Sequence, residues 1–266
     1  MTDHPAQDAL LEVLRHGEME VTGRLVNASN ATFLADIEHD RVRLSCVYKP
    51  VRGERPLWDF PDGTLAGREV AAYLVSEAAG WAVVPPTVLR DGPFGEGMAQ
   101  LWIDVSDEEP VDVVPEGQVP QGWLHVLDAY DQEDRAVALI HEDTERLRRM
   151  AIFDIVINNA DRKGGHVLPD GDGHVYGCDH GVSLHAEHKL RTVLWGWAGD
   201  AVTEQERTSL EALRERLCEH ELRASLSELI TPLEYDQIGA RVDRLLARAT
   251  MPYPSMRGPS IPWPAF

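Results

Sequence analysis

Asn158-Asn159-Ala160-Asp161-Arg162, followed downstream by Cys178-Asp179-His180-Gly181, is the stretch whose reading decides the fold. An apolar run from Met150 to Ile157 precedes it, so Asp161 stands just beyond a buried helix, where loop side chains tend to carry function. The Asp-x-Gly at 179–181 adds a second carboxylate beside a residue that lets the chain turn sharply away. Phosphoryl transfer asks little covalent chemistry of a protein, and two carboxylates meet its needs. One orients the acceptor hydroxyl and the other holds a metal on the phosphates. Asp161 fits the first role and Asp179 the second. Taken alone, 158–162 is also an ordinary Asn- and Asp-rich turn; the downstream Asp-x-Gly is what favours chemistry.

Working outward, the upstream half reads as strands. Residues 19–26, 32–37 and 42–48 alternate apolar and polar side chains and are separated by polar turns, which predicts three antiparallel strands. Val70, Tyr73, Leu74 and Ala78 recur at helical spacing, so 66–79 is expected to be a helix that ends at Gly80 and carries Glu69 in its first turn. Two more strands are expected over 83–89 and 98–105. Residues 1–105 then form a small N-terminal lobe. The acidic, Pro-bearing stretch 106–122 suits an exposed connector. Downstream the pattern turns helical, with helices expected over 123–130, 133–158, 204–217, 219–230 and 232–248, and a short hairpin over 167–168 and 175–178. That makes 123–250 a helical C-terminal lobe. The tail 251–266 holds five prolines and cannot be helical. The fold class expected is α+β, two-lobed.

The arrangement resembles the phosphatidylinositol-kinase-like branch of the protein-kinase superfold, including the HipA-type bacterial kinases, whose floor motif runs Asn-x-Asp-Arg-His-x-x-Asn. More narrowly, it is similar to an actinobacterial family related to phosphoinositide kinases. The resemblance implies ATP as phosphoryl donor, with Mg²⁺ or Mn²⁺. By it, Asp161 is the catalytic aspartate, Asn159 belongs to the same motif, and Arg162 screens Asp161 or the transferred phosphate. Lys49, at the end of the third strand, touches the α- and β-phosphates and pairs with Glu69. Asp179 holds the metal. Gln100 and Trp102 mark the hinge against the adenine. The turn 27–31 sits where protein kinases carry a Gly-rich loop but has no glycine; Ser29 and its neighbouring N–H groups are expected to meet the β- or γ-phosphate.

Two positions depart from the motif: Lys163 stands where histidine is usual, and His166 where a metal-binding asparagine is usual. Imidazole nitrogen suits manganese, iron or zinc better than magnesium, so His166 ligates a softer ion, binds phosphate, or marks a one-metal site. A non-catalytic nucleotide-binding scaffold would show the same change. Nucleotidyl transfer is open to the same fold if ATP lies in a reversed pose. A metal-dependent hydrolase built on the histidines at 166, 174, 180, 185 and 188 is the third reading, but their spacing matches no zinc motif.

Composition limits the partners. The 266-residue chain is 43% hydrophobic and 26% charged, as expected of a folded chain, and its formal charge of −20 repels nucleic acid and anionic lipid. No basic face for phosphoinositides is evident, so the acceptor expected is a protein or small-molecule hydroxyl. Neither a bilayer-spanning apolar run nor a signal-peptide pattern is present, and Cys46, Cys178 and Cys218 form no CxxC pair. No stable membrane association and a cytoplasmic location with reduced thiols are the expectations.

Overall fold

The computed structural model describes residues 4–25 and 30–266. A helix not anticipated from the sequence, α1 (His4–His16), leads into a five-stranded antiparallel sheet. Its strands are β1 (Glu18–Arg24), β2 (Phe33–His39), β3 (Val42–Pro50), β4 (Thr87–Gly92) and β5 (Gly95–Leu101), in the spatial order β1-β2-β3-β5-β4. Between β3 and β4 lies α2 (Leu65–Ala78), whose first turn is capped by the Thr64 hydroxyl accepting from the Gly67 N–H at 2.9 Å. The Glu54 carboxylate accepts the Leu65 and Ala66 N–H groups at the same end.

Strand periodicity sets what faces the cleft. On β3, Cys46 and Tyr48 are buried in the core while Val47 and Lys49 point to the other side of the sheet. Lys49 pairs with Met98 of β5, and a Cβ on neighbouring Gly97 would overlap the Lys49 carbonyl, so only glycine lets the two strands approach there. The expected strand over 83–89 begins later, at Thr87, because Pro85 and Pro86 cannot both join a ladder.

The middle of the chain departs from expectation. Within the stretch read as a connector, Val111–Pro115 forms β6, the stretch read as a helix over 123–130 is β7 (Trp123–Tyr130), and the first part of the helix expected over 133–158 is β8 (Ala136–Glu142). These three strands make a second antiparallel sheet, β6-β8-β7, outside the kinase-type plan inferred from sequence. Short apolar runs do not distinguish strand from helix by periodicity, and Val137, Leu139 and Ile140 gained helical phase only by being joined to the true helix that follows. That helix is α3 (Glu145–Ile157).

Beyond α3 come the short hairpin β9 (Val167–Pro169) and β10 (Val175–Gly177), as expected, and then α4 (Glu204–Arg216), α5 (His220–Ser227) and α6 (Pro232–Arg248). Capping boxes at Thr203 and Thr231 start α4 and α6. The fold class is therefore α+β, an antiparallel-sheet lobe followed by a mainly helical C-terminal region. One apolar core runs through both, with Trp81, Met150, Phe153, Val156, Leu184 and Trp197 among its buried members. The Pro-rich tail folds back rather than hanging free: the Ser260 carbonyl accepts from the Thr192 N–H and the Trp195 indole, and the Ala265 carbonyl from the Gly164 N–H. Trp195 and Trp197 are both buried; they pin this segment to the core. Among the described residues no helix is long and apolar enough to cross a membrane.

Candidate active site

A cleft of about 340 Å³ lies between the sheet and the β9–β10 hairpin, lined by Val47, Lys49, Gln100, Trp102, His166 and Asp179 among others. Its volume suits a small-molecule ligand. Lys49 lines it, with Nζ 2.6 Å from Glu69 Oε1 and 2.6 Å from Asp179 Oδ1. Burial works against the ammonium charge, but the facing Asp179 and Glu69 carboxylates outweigh it and hold the Lys49 pKa well above its ordinary value. Conversely the Lys49 charge, opposed by burial, holds the Asp179 carboxyl far below the carboxylate range.

Glu69 is held from two sides. Its side chain is 2% exposed, one oxygen facing Lys49 and the other accepting the His180 N–H at 2.8 Å. One buried carboxylate thus ties β3 to the Asp-x-Gly turn. Asp179 adopts φ +62°, the left-handed region, which turns its carboxylate outward to 51% exposure.

Asp161 is positioned from below. Its N–H donates to Asn159 Oδ1 at 3.0 Å, and Asn159 Nδ2 donates to the buried Asp154 at 2.9 Å. Burial raises the Asp161 pKa against the pull of Lys163, whose Nζ is 3.4 Å away. His166 Nδ1 lies 2.9 Å from the Asp161 carbonyl oxygen, which can only accept, so Nδ1 carries the proton and Nε2 presents a lone pair. That nitrogen is 3.5 Å from Asp179 Oδ2. Burial lowers the His166 pKa to about 4, so the ring is neutral at pH 7.

Arg162 requires a correction. Expected beside Asp161 or the phosphate, it is instead wholly buried, donating from Nε and one terminal nitrogen to Asp154 at 2.9–3.2 Å and from the other to the His166 and Cys178 carbonyls. Its remaining contact, 2.7 Å to His180 Nε2, forces that ring to accept there. Burial and the Arg162 charge keep His180 neutral. Arg162 therefore holds the floor of the cleft together and does not reach into it. Asp154 is the residue the sequence reading passed over; a carboxylate inside the apolar run 150–157 was the available signal, since such a group demands a buried partner.

Gln100 is buried, donating to Thr87 Oγ1 at 2.8 Å, and Trp102 stands half-exposed at the cleft mouth. The Trp102 N–H is committed to the Ser45 carbonyl at 3.0 Å, so it does not serve as a hinge donor. Ser29 lies outside the described residues. The other histidines do not join His166: His174 contacts the Ala82 carbonyl, His185 accepts from the Glu187 N–H, and His188 lies in a separate pocket. Among the described residues no three His, Cys, Asp or Glu side chains gather as a metal site. Among the described residues the histidines therefore do not gather as the hydrolase reading expects.

His166 and Asp179 together offer a divalent cation two donors at the cleft. The neutral Nε2 lone pair and the second Asp179 oxygen stand 3.5 Å apart, close enough for one ion to meet both, while Lys49 faces the first oxygen. One nitrogen and one carboxylate make a softer pair than an all-oxygen site, so manganese is accommodated as well as magnesium.

No known family model matches the chain. Among solved structures it is similar to the Helicobacter pylori proinflammatory kinase CtkA, with a TM-score of 0.43 and 10% identity over 89% of this chain and 94% of that one, a level that carries no argument about function. It is 52% identical over 264 residues to Protein Rv2133c of Mycobacterium tuberculosis, an alignment that spans 96% of this chain and 94% of the relative. The chain belongs to the family of that mycobacterial protein.

Proposed function

We propose that the protein is an ATP-dependent phosphotransferase acting on a protein or small-molecule hydroxyl. The observation that carries this reading is Lys49 gripped at 2.6 Å by both Glu69 and Asp179 in a cleft that His166 also lines, with Asp161 near enough for the Asp179 charge to act on its carboxyl. In this reading the Lys49 ammonium positions the α- and β-phosphates, and Val47, Gln100 and Trp102 bound the space for the base. Asp179 and His166 would hold the divalent ion, Mg²⁺ or Mn²⁺, which when bound neutralises charge on the β- and γ-phosphates. Asp161 orients the acceptor hydroxyl and accepts its proton; a carboxyl raised by burial is a better base than an exposed one. Arg162 and Asp154 keep the loop rigid so that the acceptor is held in line.

A second reading, a nucleotide-binding scaffold without turnover, draws on the tight Lys49–Asp179 contact and on His166 in the metal position. Thermal shift with product analysis separates the two. ATP with Mn²⁺ or Mg²⁺ raises the melting temperature in both. Only the phosphotransferase releases ADP, and Asp161→Ala then abolishes release while keeping the thermal shift. Binding without ADP from any acceptor selects the scaffold, and AMP with pyrophosphate selects nucleotidyl transfer. No thermal shift with either ion refutes both readings.

A further inference from the structure

A second cavity, of about 280 Å³, shares no lining residue with the nucleotide cleft. It lies between α6, Ile155 of α3 and the segment around His188 and Leu190. Arg241, Arg244 and Arg248 stand three or four residues apart on α6, so their side chains share one helix face, and all three line the cavity with His188. In a chain of net charge −20, three arginines lining a cavity with no acidic residue in its lining is an unusual concentration of positive charge.

These charges lack counter-ions. Arg241 is buried and donates only to neutral acceptors, the Val156 and His185 carbonyls. Glu234, whose charge also acts on Arg241, is already bound to Arg68 at 2.6 Å. Asp243, on the same helix, faces Arg214 at 3.5 Å. No ion pair of Arg244 or Arg248 exists among the described residues. Burial and the Arg244 charge lower the Arg241 pKa to about 10, and partial burial with the two arginines lowers that of His188. Both shifts have the sign of positive charge that an anion would relieve.

The walls say what kind of anion. Ile155, Leu190, Leu245 and Pro252 are apolar, and the exposed Tyr253 also lines the cavity. Guanidinium forks match phosphate oxygens two at a time, and three of them suit a dianion better than a single carboxylate. We propose that this cavity is a binding site for a small phosphate monoester carrying an apolar body, separate from the nucleotide cleft.

Calorimetric titration with phenyl phosphate tests it, with inorganic phosphate as the comparison. Expected are saturable binding in the millimolar range or tighter, at least tenfold weaker binding of inorganic phosphate, and a raised His188 pKa in the complex by NMR. Arg244→Gln with Arg248→Gln changes only exposed side chains and should weaken phenyl phosphate at least tenfold. Arg15→Gln with Arg41→Gln removes the same charge elsewhere and should leave binding unchanged. The proposal is overturned by absence of saturable binding, by equal binding in the Arg244/Arg248 variant, or by equal losses in the two variants, which would mark nonspecific attraction. Equal affinity for the two probes would refute the apolar part of the assignment.

Discussion

Asp154→Asn tests the claim that Arg162 is a buried strut. The wild-type carboxylate accepts from Arg162 Nε and a terminal nitrogen, from Asn159 Nδ2 and from the Thr192 hydroxyl, all within 3.2 Å and all shielded from water. The amide is nearly isosteric, so the change removes charge without opening a cavity. It leaves a wholly buried guanidinium facing an NH₂ group, and breaking a buried pair from one side costs about 3–5 kcal/mol. At about 2–4 °C per kcal/mol for a chain approaching this size, the melting temperature should fall by roughly 6–20 °C. Urea denaturation should move the midpoint at an unchanged slope. In a cycle with Arg162→Met, the two single losses should exceed the double by about 1–3 kcal/mol. A loss under about 1 kcal/mol for Asp154→Asn, or additivity in the cycle, would show that water or rearrangement already compensates Arg162, and the strut argument would fail.

Gly177→Ala places a Cβ 2.9 Å from the Arg162 terminal nitrogen that the His166 and Cys178 carbonyls hold in place; a cost of about 1–3 kcal/mol is expected in urea melts. Lys49→Met should reduce ADP release at least ~100-fold at saturating ATP, measured by coupled assay, because the phosphates lose their central positive contact; near-wild-type turnover would remove Lys49 from the mechanism. Buried His141 donates to the Glu142 carbonyl and accepts from the Gly196 N–H, and burial lowers its pKa. The unfolded chain therefore binds the proton first, so stability is lost as pH falls below about 6.5. His141→Gln should flatten that part of the stability–pH curve relative to wild type, and an unchanged slope would refute the assignment.

Much of the sheet lobe was legible because its signals are local. Alternation in 19–26, 32–37 and 42–48 and the helical spacing after Ala66 survive in the fold with boundaries moved by a few residues. The second sheet was not legible. Residues 111–115, 123–130 and 136–142 are strands because each finds a partner, and the acidic, Pro-bearing composition around them gives no local sign of that pairing. The tail shows the same limit: prolines forbade a helix, but only contact with Thr192, Trp195 and Gly164 decides where it lies.

For the candidate site, the residue types and their order along the chain were set by sequence: a lysine closing a strand, a glutamate in the next helix, and two aspartates after an apolar run. What tertiary structure alone decided is which of them meet. Lys49, Glu69 and Asp179 converge because β3, α2 and the Asp-x-Gly turn pack around one cleft, whereas Arg162, beside Asp161 in the chain, is drawn into the interior by Asp154. The reason is electrostatic. A buried charge must be paired where it lies, and the location of its partner is a property of packing that neighbouring residues in the chain do not encode.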